Sequence, residues 1–308
     1  MNKLVITGKK ENGEAFRREI AKDIQALDLS ERQLSSIDLS PLQNCPKLQW
    51  LFLSMNQLTS VDLSPLKNCH NLQHFFLNIN QLTSVDLSPL KKCQQLQELV
   101  LFGNQLSSVD LSPLENCQQL QILFLSDNQL STIDLSPLKN CQQLQKLYLH
   151  SNQLASVDLS PLENCQQLQE FYLDDSVTIL WEQKNLKGRR LSEGLQSLEA
   201  KIQQAHQNYL AEKEQQLERQ RSEKLRKILS KFQEISLERM GKMLDFTDSD
   251  ELLDWLLEVP NEFGIQIKDE MIIFTKNLRN GSSEAEIAIN NLLKKFEEFE
   301  RKNRGKKN

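Results

Sequence analysis

A chain of 308 residues with 26% charged and 6% aromatic side chains fits soluble globular or helical structure and excludes collagen-like and disulfide-rich classes. Its net charge of −5 hides an asymmetry: residues 24–177 hold 7 basic and 15 acidic side chains, whereas residues 178–308 hold 24 and 23. The acidic first half is a poor surface for nucleic acid, whose phosphates repel it.

Residues 1–23 are expected to cap the element that follows. Their short run Leu4-Val5-Ile6-Thr7 is too brief for a signal-peptide core, and a cytoplasmic protein without a transmembrane segment is expected. Gly8-Lys9-Lys10 lacks the upstream glycine, spacing and Ser or Thr of a phosphate-binding loop.

From Ile24 the sequence repeats every 24 residues, and one unit reads LQELVLFGNQLSSVDLSPLENCQQ. Alternation in Leu99-Val100-Leu101 sends both leucines to one side of a short strand and Val100 to the other, which predicts stacked strands in a parallel sheet. Asn56, Asn80, Asn104, Asn128 and Asn152 recur after each strand, where an amide satisfies buried backbone groups. Asp110-Leu111-Ser112-Pro113-Leu114 and its equivalents predict a short return helix, with serine as its cap and proline in its first turn. The aspartates of this motif form a second column, expected to bond to nearby backbone amides. Cys45, Cys69, Cys93, Cys117, Cys141 and Cys165 share the period, so they predict buried reduced thiols rather than a disulfide framework or zinc site.

Leu96, Leu99, Leu101, Asn104 and Leu106 meet the pattern L-x-x-L-x-L-x-x-N-x-L, and the chain over 24–177 resembles the leucine-rich-repeat family. That resemblance implies a horseshoe solenoid and a role in binding.

The strand residue between the two inward positions faces the concave side. In chain order it is Asp28, Phe52, Phe76, Val100, Phe124, Tyr148 and Tyr172, a column about 29 Å long at 4.8 Å per strand. Trp50, Met55, Ile79, Phe102 and Ile122 lie beside it. Near its end Tyr148, His150, Glu170, Tyr172, Asp174 and Asp175 make the surface more acidic, which predicts a ligand basic at one end. Trp50, Phe52, Phe76, Phe102, Phe124, Tyr148, His150 and Tyr172 form the expected partner-binding site, since aromatic anchors dominate protein interfaces. The alternatives are cover by the protein's own C-terminal helix, or rings packed on their neighbours.

After Asp175 the period stops, and 178–191 are expected to be a linker. Residues 192–232 predict a long charged helix in which Leu195, Leu198, Ile202, Ala205 and Tyr209 have coiled-coil spacing, which would allow a dimer. Within 233–280, Ser236 can cap a helix, 249–258 predict a second, and Phe263–Ile267 with Met271–Phe274 predict a β-hairpin. Two helices and a hairpin resemble winged-helix domains of the PCI, ESCRT-II and DDRGK types, although Asp250, Glu251, Asp254 and Glu258 on the second helix oppose DNA contact. Residues 281–302 predict an amphipathic helix and 303–308 a basic tail.

The fold expected is thus α+β and multi-domain: a parallel β-solenoid, a long helix and a small winged-helix-like module. No nucleophile with a neighbouring base can be named, the four histidines have no metal-ligand spacing, and neither enzyme activity nor a cofactor is expected. The function expected is a protein-interaction adaptor or scaffold. The alternatives are a nucleic-acid-associated factor acting through the second module and tail, or a non-catalytic regulator of an enzyme such as a GTPase.

Overall fold

The computed structural model describes residues 3–181, 191–246, 249–258, 265–269 and 271–274, with isolated positions between 287 and 298. Residues 182–190 of the expected linker, most of the 281–302 helix and the basic tail lie outside the described residues. The chain forms two compact units, Met1–Tyr209 and Leu210–Asn308.

The first unit begins with a hairpin of β1 (Lys3–Lys10) and β2 (Ala15–Ala21), followed by β3 (Ala26–Asp28) and β4 (Leu34–Asp38). β1 pairs antiparallel with both β2 and β4, and Ile6 and Ile20 enter the solenoid core. Gly8 permits the close approach, because a Cβ there would collide with the Ser36 carbonyl oxygen.

The repeats supply β5 (Trp50–Phe52), β6 (His74–Phe76), β7 (Glu98–Val100), β8 (Ile122–Phe124), β9 (Lys146–Tyr148), β10 (Ser156–Asp158) and β11 (Glu170–Tyr172). All of these but β10 join β3 in one seven-stranded sheet, in the order β11-β9-β8-β7-β6-β5-β3. Every pairing is parallel and in register, so Asp28, Phe52, Phe76, Val100, Phe124, Tyr148 and Tyr172 stand side by side. Leu27, Leu51, Phe75, Leu99, Leu123 and Leu147 point the other way and are fully buried.

The asparagine ladder ties the turns together. Asn104 Nδ2 donates to the carbonyls of Leu77 (3.1 Å) and Leu101 (3.0 Å), while its Oδ1 accepts from Leu82 N (3.1 Å). One amide thus satisfies three buried backbone groups spread over two turns, and Asn56, Asn80, Asn128 and Asn152 repeat the arrangement.

Each return segment is a short 3₁₀ turn, such as Ser64–Asn68, with proline at its start. The serine does not cap it. Leu63 occupies the cap position without a side-chain bond, and Ser64 is already inside the turn. The aspartate acts instead: Ser64 N donates to Asp62 Oδ1 (2.8 Å) and Ser64 Oγ to Asp62 Oδ2 (3.0 Å). The same backbone bond recurs at Asp38, Asp86, Asp110, Asp134 and Asp158. At Asp62 and Asp110 the backbone bond first, and the serine hydroxyl second, hold the carboxyl below its ordinary range. The aspartate column is therefore a fold device.

All six cysteines are buried and unbridged. Their thiols stack along the solenoid, with Cys93 Sγ 3.4 Å from the Cys69 carbonyl and Cys117 Sγ 3.5 Å from that of Cys93. Burial pushes Cys69, Cys93, Cys141 and Cys165 up to about 12.

Past residue 177 the structure departs from the expected linker. β12 (Thr178–Leu180) pairs parallel with β10, and Trp181 is buried. Next come α1 (Glu193–Gln196) and α2 (Glu199–Lys231). Gly194 N donates to the Leu168 carbonyl at 2.9 Å, and Leu195 and Ile202 are buried in the solenoid core with Leu198 and Ala205 against it. The coiled-coil reading is thereby corrected: four of the five seam residues, Leu195, Leu198, Ile202 and Ala205, cap the last repeat, whose open apolar end needs a cover. From 211 to 223 every helix residue whose side chain is described is exposed.

In the second unit Leu225 and Ile228 of α2 join a separate core with Met240, Leu252, Trp255, Ile272 and Phe274. β13 (Glu234–Ser236) leads into α3 (Leu237–Met243), and Ser236 Oγ accepts from Arg239 N at its start. α4 (Ser249–Glu258), β14 (Ile265–Lys268) and β15 (Met271–Phe274) follow. The sheet order β13-β15-β14 is antiparallel throughout. Sequence pattern missed β13, which at three residues is too short to show alternation.

Asn104→Ala should destabilise the protein by about 1–3 kcal/mol in urea denaturation, because it takes the acceptor from the buried Leu82 amide and one of two bonds from each of the Leu77 and Leu101 carbonyls, which Asn80 and Asn128 still reach, while Asp110→Asn at the exposed turn should cost less than about 1 kcal/mol. In the native protein at pH 8, alkylation of the cysteines by iodoacetamide should run at least about 100-fold slower than in urea, since buried thiols with raised pKa hold almost no thiolate.

Candidate functional site

The concave face is built from the outward positions of seven strands, and in-register pairing turns each position into a column. Phe52 and Phe76 stack with centroids 5.0 Å apart, and Phe124 and Tyr148 stack at 4.1 Å. Trp50 stacks on His74 with centroids 3.5 Å apart and nearly parallel planes, and its centroid lies 6.1 Å from that of Phe52. Tyr172 meets Tyr148 edge-on at 4.8 Å and His150 at 5.9 Å.

Val100, only 4% exposed, interrupts the column and divides the rings into two groups. Trp50, Phe52, His74 and Phe76 form one; Phe124, Tyr148, His150 and Tyr172 form the other. Phe102 stands one column further along, half-buried beside Gly103. The rings thus do part of what the packing alternative describes, since Phe52, Phe76, Phe124 and Tyr148 are half-buried against each other while Tyr172 remains 51% exposed. His74 is almost enclosed between Trp50 and Glu98, its Nδ1 3.4 Å from Glu98 Oε1.

At the far end the carboxylates are engaged within the chain. Glu170 accepts from Lys146 Nζ at 2.7 Å and from the Tyr148 hydroxyl, which hold it below its ordinary range. Burial, then the Glu170 carboxylate, push the Tyr148 phenol up to about 12. Asp174 accepts from Ser151 N (3.0 Å) and Asn152 N (3.3 Å), taking over at the last turn where the asparagine ladder ends. Asp175 pairs with Lys201 of α2 at 3.0 Å. The acidic end is real, but two lysines offset part of its charge.

A feature that sequence reasoning missed lies at the residue before each ladder asparagine. Met55, Ile79, Asp127 and Ser151 all have φ between 53° and 56°, and Gly103 occupies the same place at 67°. Left-handed backbone costs a non-glycine residue about 1–2 kcal/mol, with β-branched isoleucine among the least suited. Met55 and Ile79 are nevertheless 48% and 43% exposed.

Among the described residues no group of three or more His, Cys, Asp or Glu side chains could hold a metal ion, and no helix is long and apolar enough to cross a membrane.

Family models described as leucine-rich repeats match residues 46–92 and 94–154. Together with the period, the ladder and the parallel sheet, they define the first unit as a leucine-rich-repeat domain. No curated relative matches the chain. Among solved structures, internalin C2 from Listeria monocytogenes is 35% identical over 44% of this chain and 66% of its own, with a TM-score of 0.36. Another internalin from the same organism is 29% identical over 49% and 46%, with a TM-score of 0.34. A plant peptide hormone receptor, in complex with its ligand, is 23% identical over 46% and 22%, with a TM-score of 0.41. The chain thus spans less than two thirds of the length of each.

Because the stacked rings lie outside the leucine core, Phe52→Ala should cost only about 1–2 kcal/mol of stability, whereas Leu99→Ala should cost about 3–5 kcal/mol. Urea denaturation of the two variants compares them directly.

Proposed function

We propose that the protein is a non-enzymatic interaction adaptor that holds a segment of another protein on the concave aromatic face of its repeats. The observation that carries this reading is the column of stacked, part-exposed rings at Phe52, Phe76, Phe124, Tyr148 and Tyr172, which the leucine core does not require. Repeat solenoids commonly bind proteins on such concave surfaces, and aromatic anchors supply most of the energy in protein interfaces. The six buried, unbridged thiols fit a reducing compartment such as the cytoplasm.

The second unit supports a winged-helix reading. Its order is helix, strand, helix, helix and then two strands, with a three-stranded antiparallel sheet. Exposed Asp250 and Asp254 on α4 favour protein over DNA as its partner, because α4 would have to enter a groove lined by phosphates.

Selection of displayed peptides on the full chain tests the adaptor reading. Enriched peptides should lose at least about tenfold in affinity for the Phe76→Ala/Phe124→Ala variant, roughly 1.4 kcal/mol, while the variant stays folded. Peptides bound equally by parent and variant would move the site elsewhere. If the protein's own later residues cover the face, the variant should instead show faster amide exchange after Tyr209.

A further inference from the structure

We infer that the outer edge of β2 is a second interaction surface, where an extended acidic segment of another protein adds as a strand against Arg17 and Arg18. This edge belongs to the first hairpin, outside the repeats, and the inference goes beyond the concave-face reading. β2 ends the sheet of order β2-β1-β4, and at seven residues it is the longest edge strand among the described residues. Lys10 N donates to the Glu14 carbonyl at 2.8 Å, and the same register runs unbroken from Lys9 opposite Ala15 to Lys3 opposite Ala21. Bonding in an antiparallel ladder alternates, so Phe16, Arg18 and Ile20 exchange backbone bonds with β1 while Ala15, Arg17 and Glu19 direct theirs away from it. Among the described residues no backbone partner receives those outward groups.

Side chains decide what can pair there. Successive strand residues face opposite sides, so an added strand meets Arg17 on one face and Arg18 on the other. Both are exposed, and among the described residues neither guanidinium has a hydrogen bond or close ion pair. Glu19, the strand's one acidic residue, is held by Lys3 Nζ at 2.8 Å, and exposed Lys9 adds a positive charge on the Arg17 face. Edge strands are commonly blunted by proline, a bulge or a cover, whereas β2 has only its charges. Those charges oppose a second copy: full antiparallel overlap sets Arg18 opposite Arg18, and moving the axis by one residue sets Arg17 opposite Arg17 or Glu19 opposite Glu19. They attract a strand with two consecutive carboxylates, one for each face. Backbone bonds supply the affinity in such strand addition, and the carboxylates supply the selection.

The probe is a fluorescein-labelled peptide of about ten residues, a central Glu-Glu pair flanked by threonine and serine, titrated by anisotropy against the full chain. It should bind at least about tenfold more tightly than the same peptide carrying Lys-Lys, and Arg17→Ser/Arg18→Ser should weaken it by about tenfold or more at an unchanged melting temperature. N-methylation of every second peptide amide should abolish binding in one phase and spare it in the other, because only alternate groups of an added strand face β2. Equal binding of the Lys-Lys peptide, unchanged affinity in the arginine variant, equal effects of the two methylation phases, or no binding at about 100 µM each overturns the inference. Phe76→Ala/Phe124→Ala should leave this affinity unchanged, and a loss of about tenfold there would move the peptide to the concave face and overturn the assignment to β2. A dimer of the free chain that the peptide dissociates would give the edge to a second copy and overturn it as well.

Discussion

The structure depends on one exchange of hydrogen bonds, that between the ladder asparagines and the backbone of the turns on either side. A turn that passes through a leucine-lined interior has no water to satisfy its amides and carbonyls. Asn80 answers this with Leu53, Leu58 and Leu77, which belong to two neighbouring turns, and so fixes the offset between them as well as their hydration. A slip by one residue would break the amide's bonds and turn the leucines outward together. Every column on the concave face, including the aromatic one, exists because this lock repeats without phase error.

A solenoid built this way has two open ends, and each is closed by elements outside the repeat. The first hairpin brings Ile6 and Ile20 over one end and pairs its edge with β4. At the other end Trp181, Leu195 and Ile202 close the core, with Asp174 accepting the amides of Ser151 and Asn152. Both closures solve the same problem, an apolar cross-section that would otherwise meet water.

The concave face is where the chain departs from what stability alone would select. Stacked rings recover part of their burial from each other, yet Tyr172, Met55 and Ile79 stay largely in solvent. The acidic end is moderated by Lys146 and Lys201, which pair with Glu170 and Asp175.

The sequence by itself determined whatever repeats. The period of 24 residues specified the parallel sheet, the inward leucines, the buried thiols and asparagines, and the outward positions of Phe52 through Tyr172, because each follows from alternation within one unit copied six times. Tertiary structure decided what occurs once. Leu195 and Ile202 have the spacing of a dimer seam, but the uncovered end of the last repeat lies within reach and takes them. The same holds for β12, for the Glu170 bonds to Lys146 and Tyr148, for the division of the rings at Val100, and for the left-handed turn that leaves Met55 and Ile79 exposed. These contacts join residues from different turns or from outside the repeat, where no periodic signal marks them, and packing alone selects among the alternatives that local sequence leaves open.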